Sequence, residues 1–346
     1  MAGISTNKKN RAQASSSTTP DRSHGMDTVT LMHVSDLHLA CTEKVSPGLL
    51  MNKRILGYIR WKIRRSREYE PTLLEAIRKQ FQNVQPDQIV ITGDLTHLGL
   101  PEEFKKVSLW LEGLAPPEKI TVIPGNHDTY VPSPWEDSFS RLGKYMLPRS
   151  CYKGKLPPPS LESLFPTLCV TGRIAIIGIS TARPCAWHLA TGTAGKSQLD
   201  RLASALKESA GAGLFRVLAL HHPPAPGIVD PRKELTDAPE LLKIIEKHGC
   251  ELILHGHSHR TSIYSVPGPR GQIPVIEAPS ALSISDMKVR RARIFTYEIK
   301  RRGDMAWKCL MRRMILGPHG GKFIEEGCRE FDLRAECGSS HKRLPE

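Results

Sequence analysis

From residue 28 onward, short apolar runs of strand length alternate with stretches of helical period. Segments 28–35, 88–92, 120–123, 173–180, 216–220 and 251–254 are short and rich in β-branched residues, which predicts strands. Segments 71–82, 101–114, 197–208 and 238–248 repeat their apolar positions every three or four residues and predict helices between those strands. Segments 261–266, 273–277, 293–299 and 306–311 then read as consecutive strands with no helix between them. An alternating half followed by a strand-rich half predicts an α/β protein of two packed sheets flanked by helices, rather than one doubly wound sheet. Residues 1–27 carry almost no large apolar side chain and predict a disordered tail, because they bury too little to offset ordering entropy. They also lack the apolar stretch of a secretory signal, so export is not expected. From 317 the pattern dissolves into Gly, Pro and charge, which predicts a loosely attached extension over 317–346. The main domain is thus expected at 28–316, with an insertion at 41–70.

Composition narrows the class. At 346 residues, 39% apolar and 24% charged, the chain suits a globular protein with a sizeable core, and no apolar run approaches the ~18 residues of a membrane span. Its eight cysteines include no CxxC pair, which argues against a disulfide scaffold or a zinc knuckle and favours a reducing, cytoplasmic compartment. The 49 Lys and Arg against 35 Asp and Glu leave a net charge of +14. Such an excess implies an anionic partner: nucleic acid, an anionic membrane face or a phosphorylated substrate.

The candidate chemistry sits at strand ends, where α/β folds place their ligands. One strand ends in Ser35-Asp36-Leu37-His38, the next in Gly93-Asp94-Leu95-Thr96-His97, and the next in Gly125-Asn126-His127-Asp128. Two more end in His221-His222-Pro223-Pro224 and His255-Gly256-His257-Ser258-His259. Any one of these is matched by an ordinary turn carboxylate or a buried structural histidine. Five in order, each after a predicted strand, point to one centre. Asp, Asn and His supply oxygen and nitrogen donors without a thiolate, which suits two divalent metal ions (Mn²⁺, Fe²⁺ or Zn²⁺) and disfavours a structural zinc site. Two dications about 3.5–4 Å apart need a shared anionic ligand, and Asp94 is the expected bridge. A hydroxide formed near neutral pH between them would attack phosphorus in line.

Asp36/His38, Gly93-Asp94, Gly125-Asn126-His127, His221 and Gly256-His257-Ser258-His259 together resemble the calcineurin-like metallophosphoesterase superfamily over most of residues 28–300. The HHPP and GHxH elements look most like those of bacterial cyclic-nucleotide phosphodiesterases. The resemblance implies a four-layer α/β/β/α sandwich of two mixed sheets. It implies one metal on Asp36, His38, Asp94 and His259 and a second on Asp94, Asn126, His221 and His257. His127 then protonates the leaving oxygen or steadies the transition state, with Asp128 fixing its orientation. His222 must point away from its neighbour on an extended segment, so only one of the pair is a direct ligand; a structural histidine is the first reading for His222 and support of the ligands the second. His97 and His255 are expected to be structural. TGTAGKS at 191–197 fails as a phosphate loop because Ala190 stands where Gly is required; it is expected to cap the following helix near the substrate mouth.

The insertion adds a separate signal. Residues 53–67 (KRILGYIRWKIRRSR) carry seven Lys or Arg and no acid. On a helix Ile55, Leu56, Ile59 and Ile63 fall within about a 100° arc, flanked by basic residues. Such a helix suits an anionic membrane surface or an acylated, phosphorylated substrate; alternatively the apolar residues pack on the core and the arginines are merely solvated. The substrates this leaves open are a cyclic nucleotide or other phosphodiester, and a nucleotide-lipid such as the UDP-diacylglucosamine that some superfamily members cleave in lipid A synthesis. A nuclease ranks behind both, since aromatic residues are only 6% and are not interleaved with the basic stretches as stacking platforms would be. A scaffold that has lost its metals ranks last, because no ligand position is missing.

Overall fold

The computed structural model describes residues 28–41, 45–63, 70, 72–146, 160–303, 306–318 and 320–334. Two six-stranded mixed sheets stack face to face. In the first, β1 (Thr28–Val34), β2 (Gln88–Ile91) and β3 (Ile120–Val122) run parallel, and β10 (Arg293–Arg302), β11 (Ala306–Leu316) and β12 (Phe323–Arg334) extend it antiparallel from β1. In the second, β5 (Ile174–Gly178), β6 (Phe215–Ala219), β7 (Leu252–His255) and β9 (Gly271–Glu277) are parallel, edged by the antiparallel β4 (Thr167–Thr171) and β8 (Ser262–Gly268).

Strand periodicity divides the core. Successive side chains on a strand face opposite ways, so Phe215, Val217, Leu252 and Leu254 join the large core shared with the first sheet. Leu218 and Ile253 between them join a second core. Leu202, Leu206, Leu241 and Ile245, from α5 (Lys196–Gly211) and α6 (Ala238–His248), close that second core from outside. α3 (Leu73–Val84) and α4 (Pro101–Leu114) close the first sheet with Leu73, Ile77, Phe104 and Leu111. The fold is the expected sandwich of two mixed sheets flanked by helices.

Two strands are additional to those expected. β4 is a five-residue edge strand, mostly half-exposed, so it lacks a long apolar run. β12 corrects the expected loose extension from 317: residues 323–334 pair with β11 along its whole length. An edge strand draws on backbone hydrogen bonds and cross-strand charge pairs rather than on apolar alternation. Glu326 accordingly takes both Arg293 Nε and Nη2 at 2.9 Å. Residues 1–27 and 335–346 lie outside the described residues.

In the insertion, a short α1 (Pro47–Leu50) precedes α2 (Arg54–Ile63). The alternative in which the apolar residues pack inward does not hold for Ile55, Leu56 and Ile59, which are 47%, 50% and 47% exposed, whereas Arg54 is 5% exposed. Its guanidinium donates to the carbonyls of Leu98 and Gly99 at 2.9 and 2.5 Å, and a cation with such partners is a better neighbour for that loop than an alkyl group. Residues 64–69 and the side chains of Arg60, Lys62 and Ile63 lie outside the description.

Candidate metal centre

Parallel strands end at one edge of a sheet, and here the ends of both sheets meet. Asp36 and His38 follow β1, Asp94 follows β2, Asn126 and His127 follow β3, His221 follows β6, and His257 and His259 follow β7. Potential ligand atoms of Asp36, His38, Asp94 and His259 all lie within 4.8 Å of one another, and so do those of Asp94, His221 and His257. Asp94 belongs to both groups. Asn126 Oδ1 is 3.1 Å from His221 Nε2. All seven residues predicted as ligands are thus brought together.

The backbone is bent to achieve this. Asp36, His38, Asp94, His257 and His259 have φ of 54°, 47°, 50°, 80° and 57°; Gln85 is the one other non-glycine residue with positive φ among the described residues. Side chains rarely occupy this region and each instance costs about 1–3 kcal/mol, which is why such residues concentrate at functional sites. Gly256 lets two of the bent loops touch: a Cβ there would run into Ser35 Oγ and Asp36 Oδ2. Gly256→Ala is therefore expected to displace Asp36, lower bound metal measured by elemental analysis, and cost about 1–3 kcal/mol in urea unfolding.

The donor set fits cations. A main-chain carbonyl only accepts, so His221 Nδ1, 2.7 Å from Thr92 O, carries the proton, as does His257 Nε2, 2.9 Å from Lys233 O. The other ring nitrogens then turn lone pairs inward: His221 Nε2 faces Asn126 Oδ1 at 3.1 Å and Asp94 Oδ2 at 3.4 Å, and His257 Nδ1 faces His221 Nε2 at 3.2 Å. Acceptors aimed at acceptors are stable around positive charge. His38 Nε2 and His259 Nε2 approach to 3.0 Å, and the buried Asp36 Oδ1 lies 3.2 Å from His259 Nε2 and 3.7 Å from His38 Nε2. Electrostatics agree. The same carboxylates attract positive charge of either kind: burial opposes charge on His221, yet Asp94 and Asp36 push its pKa up to about 9, and a metal at Nε2 would take the place of that proton. Burial likewise opposes ionisation of Asp36, but the rings of His259, His38 and His221 hold its carboxyl well below the ordinary range.

Neighbouring residues set the geometry. His127 Nδ1 lies 2.5 Å from His97 O, and its backbone N–H donates to Asp94 Oδ1 at 2.7 Å. The expectation that Asp128 orients His127 is therefore corrected. Asp128 accepts from the backbone N–H groups of Gly125, Leu95 and Thr96 and from Thr96 Oγ1, tying the β2 and β3 loops together, while the His97 carbonyl positions the His127 ring. Glu103, which the sequence reading missed, holds the same loop: its carboxylate accepts from the backbone N–H groups of His97, Leu98, Leu100 and Cys41. Its only sequence signal is an acid in the first turn of a helix. His222 bonds Thr181 Oγ1 at 2.7 Å and lies against His257 with ring centroids 4.3 Å apart. His255 engages Tyr264 Oη at 3.0 Å. One ring nitrogen of His97 lies within 4.8 Å of ring nitrogens of His38 and His127.

Comparison with known proteins gives this geometry a family. The description "Calcineurin-like phosphoesterase" matches residues 29–261. The chain belongs to the calcineurin-like phosphoesterase family. A cAMP/cGMP dual specificity phosphodiesterase of Mycobacterium tuberculosis is 29% identical over 267 residues, covering 75% of this chain and 69% of that protein. A probable cyclic nucleotide phosphodiesterase of Rhodococcus erythropolis is 26% identical over 264 residues, covering 75% and 73%. Among solved structures, a dimetal phosphatase from Danio rerio superposes with a TM-score of 0.58 at 14% identity, covering 90% of this chain and all of that one, which supports the fold. As a calcineurin-like phosphoesterase, the protein is a metal-binding hydrolase of phosphoric esters.

Proposed function

We propose that this protein is a two-metal phosphodiesterase whose first candidate substrates are cyclic nucleotides. The observation that carries the reading is the sharing of Asp94 between two groups of converging donors; the names of the relatives favour the substrate class. Asp36, His38, Asp94 and His259 would hold one metal, and Asp94, Asn126, His221 and His257 the other. Oxygen and imidazole donors without a thiolate favour Mn²⁺, Fe²⁺ or Zn²⁺. Such a pair supplies Lewis acidity toward phosphate oxygens and activates water near neutral pH. The protein's own groups do the rest. The carbonyls of Thr92 and Lys233 hold His221 and His257 in the required tautomers. The His97 carbonyl holds the proton of His127 Nδ1, leaving Nε2 as the position that carries a proton to the leaving oxygen.

The test is a panel of cyclic AMP, an aryl phosphodiester and an aryl phosphomonoester, assayed with added Mn²⁺. Metal-stimulated turnover of both diesters, at least about tenfold above the monoester in kcat/KM (about 1.4 kcal/mol), is expected. Preference for the monoester would replace the diesterase reading.

A further inference from the structure

α2 leaves its aliphatic side chains outside. The side turned to the body carries Arg54, with its two loop-carbonyl partners, Tyr58, which packs against the cluster of Leu98 and Leu100, and Gly57, where a Cβ would stand 2.6 Å from both a Leu98 methyl carbon and Tyr130 Oη. Lys53 beside them donates to Cys185 O at 2.8 Å. The opposite side presents Ile55, Leu56 and Ile59 to solvent, continued by Met51 at 85% exposure. A surface helix of an isolated globular domain does the opposite.

This apolar surface has company at one end of the molecule. Large exposed apolar side chains occur at Trp187 after β5, at Ile228 after β6, and at Ile284, Met287 and Val289 after β9. Among the described residues, only Leu109, Val170 and Ile324 of this kind lie elsewhere. The loops concerned leave the same edge of the second sheet as β6 and β7, since β5 and β9 run parallel to those strands, and Val289 O accepts from Thr261 N at 2.8 Å, two residues beyond His259. Scattered exposed apolar residues need no explanation, but a concentration rimmed by polar groups marks an interaction site.

Charge identifies the occupant. Beyond Lys53 and Arg54, which face the body, residues 55–67 hold five Lys or Arg and no acid, and Met287 and Val289 alternate with Lys288 and Arg290. A second copy of this chain meeting the first through α2 would bring like charges together. Nucleic acid would suit the cations but not a row of exposed aliphatic side chains. An anionic lipid leaflet offers negative headgroups directly above an apolar layer, and matches both. Among the described residues no helix is long and apolar enough to cross a membrane.

We propose that the metal-centre end of the protein docks on an anionic lipid surface, with the outer face of α2 inserted among the headgroups and the flanking loops resting on them. The metal cleft then opens at the lipid–water boundary. Docking does not depend on which phosphoester is hydrolysed, so its test reads binding separately from turnover.

The full chain is sedimented with vesicles of phosphatidylcholine alone and of phosphatidylcholine mixed with phosphatidylglycerol. Binding to the mixed vesicles, weakened by salt, is expected. An Ile55→Asp, Leu56→Asp, Ile59→Asp variant should bind at least about tenfold more weakly, with turnover of a soluble aryl phosphodiester unchanged and Leu109→Asp binding like the parent. Absent binding, or equal binding to both vesicle types, overturns the proposal, and this arm needs only the parent protein should the triple variant fail to fold. A dimer by light scattering that the triple variant dissolves would assign the surface to a second copy instead, and binding to DNA without binding to vesicles would assign it to nucleic acid.

Discussion

Asp94→Ala is expected to lower kcat toward an aryl phosphodiester by about 10³-fold or more, which corresponds to about 4 kcal/mol of lost transition-state stabilisation, and to remove the second equivalent of metal. The reason is position. Asp94 belongs both to the group with Asp36, His38 and His259 and to the group with His221 and His257, and a carboxylate between two dications screens their repulsion as well as binding each. Its Oδ2 lies 3.7 Å from His38 Nε2 and 3.4 Å from His221 Nε2, and its Oδ1 also accepts the His127 backbone N–H. Burial opposes its ionisation, but His221, His127 and His38 hold its carboxyl well below the ordinary range, so it is anionic throughout the working pH range. Elemental analysis of dialysed protein beside kinetics with excess Mn²⁺ checks both halves. Two equivalents of metal and parental kcat in the variant would end the shared-bridge reading.

His127→Ala is the second large effect, and its size depends on the leaving group. A positioned general acid contributes about 10²–10⁴-fold when the leaving oxygen is a poor one. A nitrophenolate departs without a proton, whereas the alkoxide of a ribose ring does not. The variant is therefore expected to lose about 10²–10³-fold in kcat on a cyclic nucleotide and about tenfold or less on a nitrophenyl diester, with metal content unchanged. Equal losses on both substrates would make His127 an electrostatic or structural group. The argument relies on the ring orientation set by the His97 carbonyl, and Asp128, which ties backbone loops, is not expected to reproduce the leaving-group dependence.

Most of the strand and helix order was legible because each element carries its own period, as Leu218 and Ile253 show by facing one core while their neighbours face the other. β12 was not legible. Its residues pair through backbone groups and through contacts such as Arg293–Glu326, and charge pairing of that kind looks like loop in a linear pattern. The candidate donors were legible for a related reason: Asp, Asn and His after successive strands are local signals whose chemistry is in their side chains.

The amino-acid sequence by itself determined the kind and order of the donors, the two-sheet plan, and the existence of a basic helix with an apolar side. Tertiary structure alone decided which ring nitrogens face the centre, because the groups that decide it are the carbonyls of Thr92, Lys233 and His97, and every residue carries the same carbonyl. It alone also decided which side of α2 faces solvent. Helical period reveals that an apolar side exists, but its direction depends on the loop carbonyls of Leu98 and Gly99, which draw Arg54 inward and leave Ile55, Leu56 and Ile59 outside.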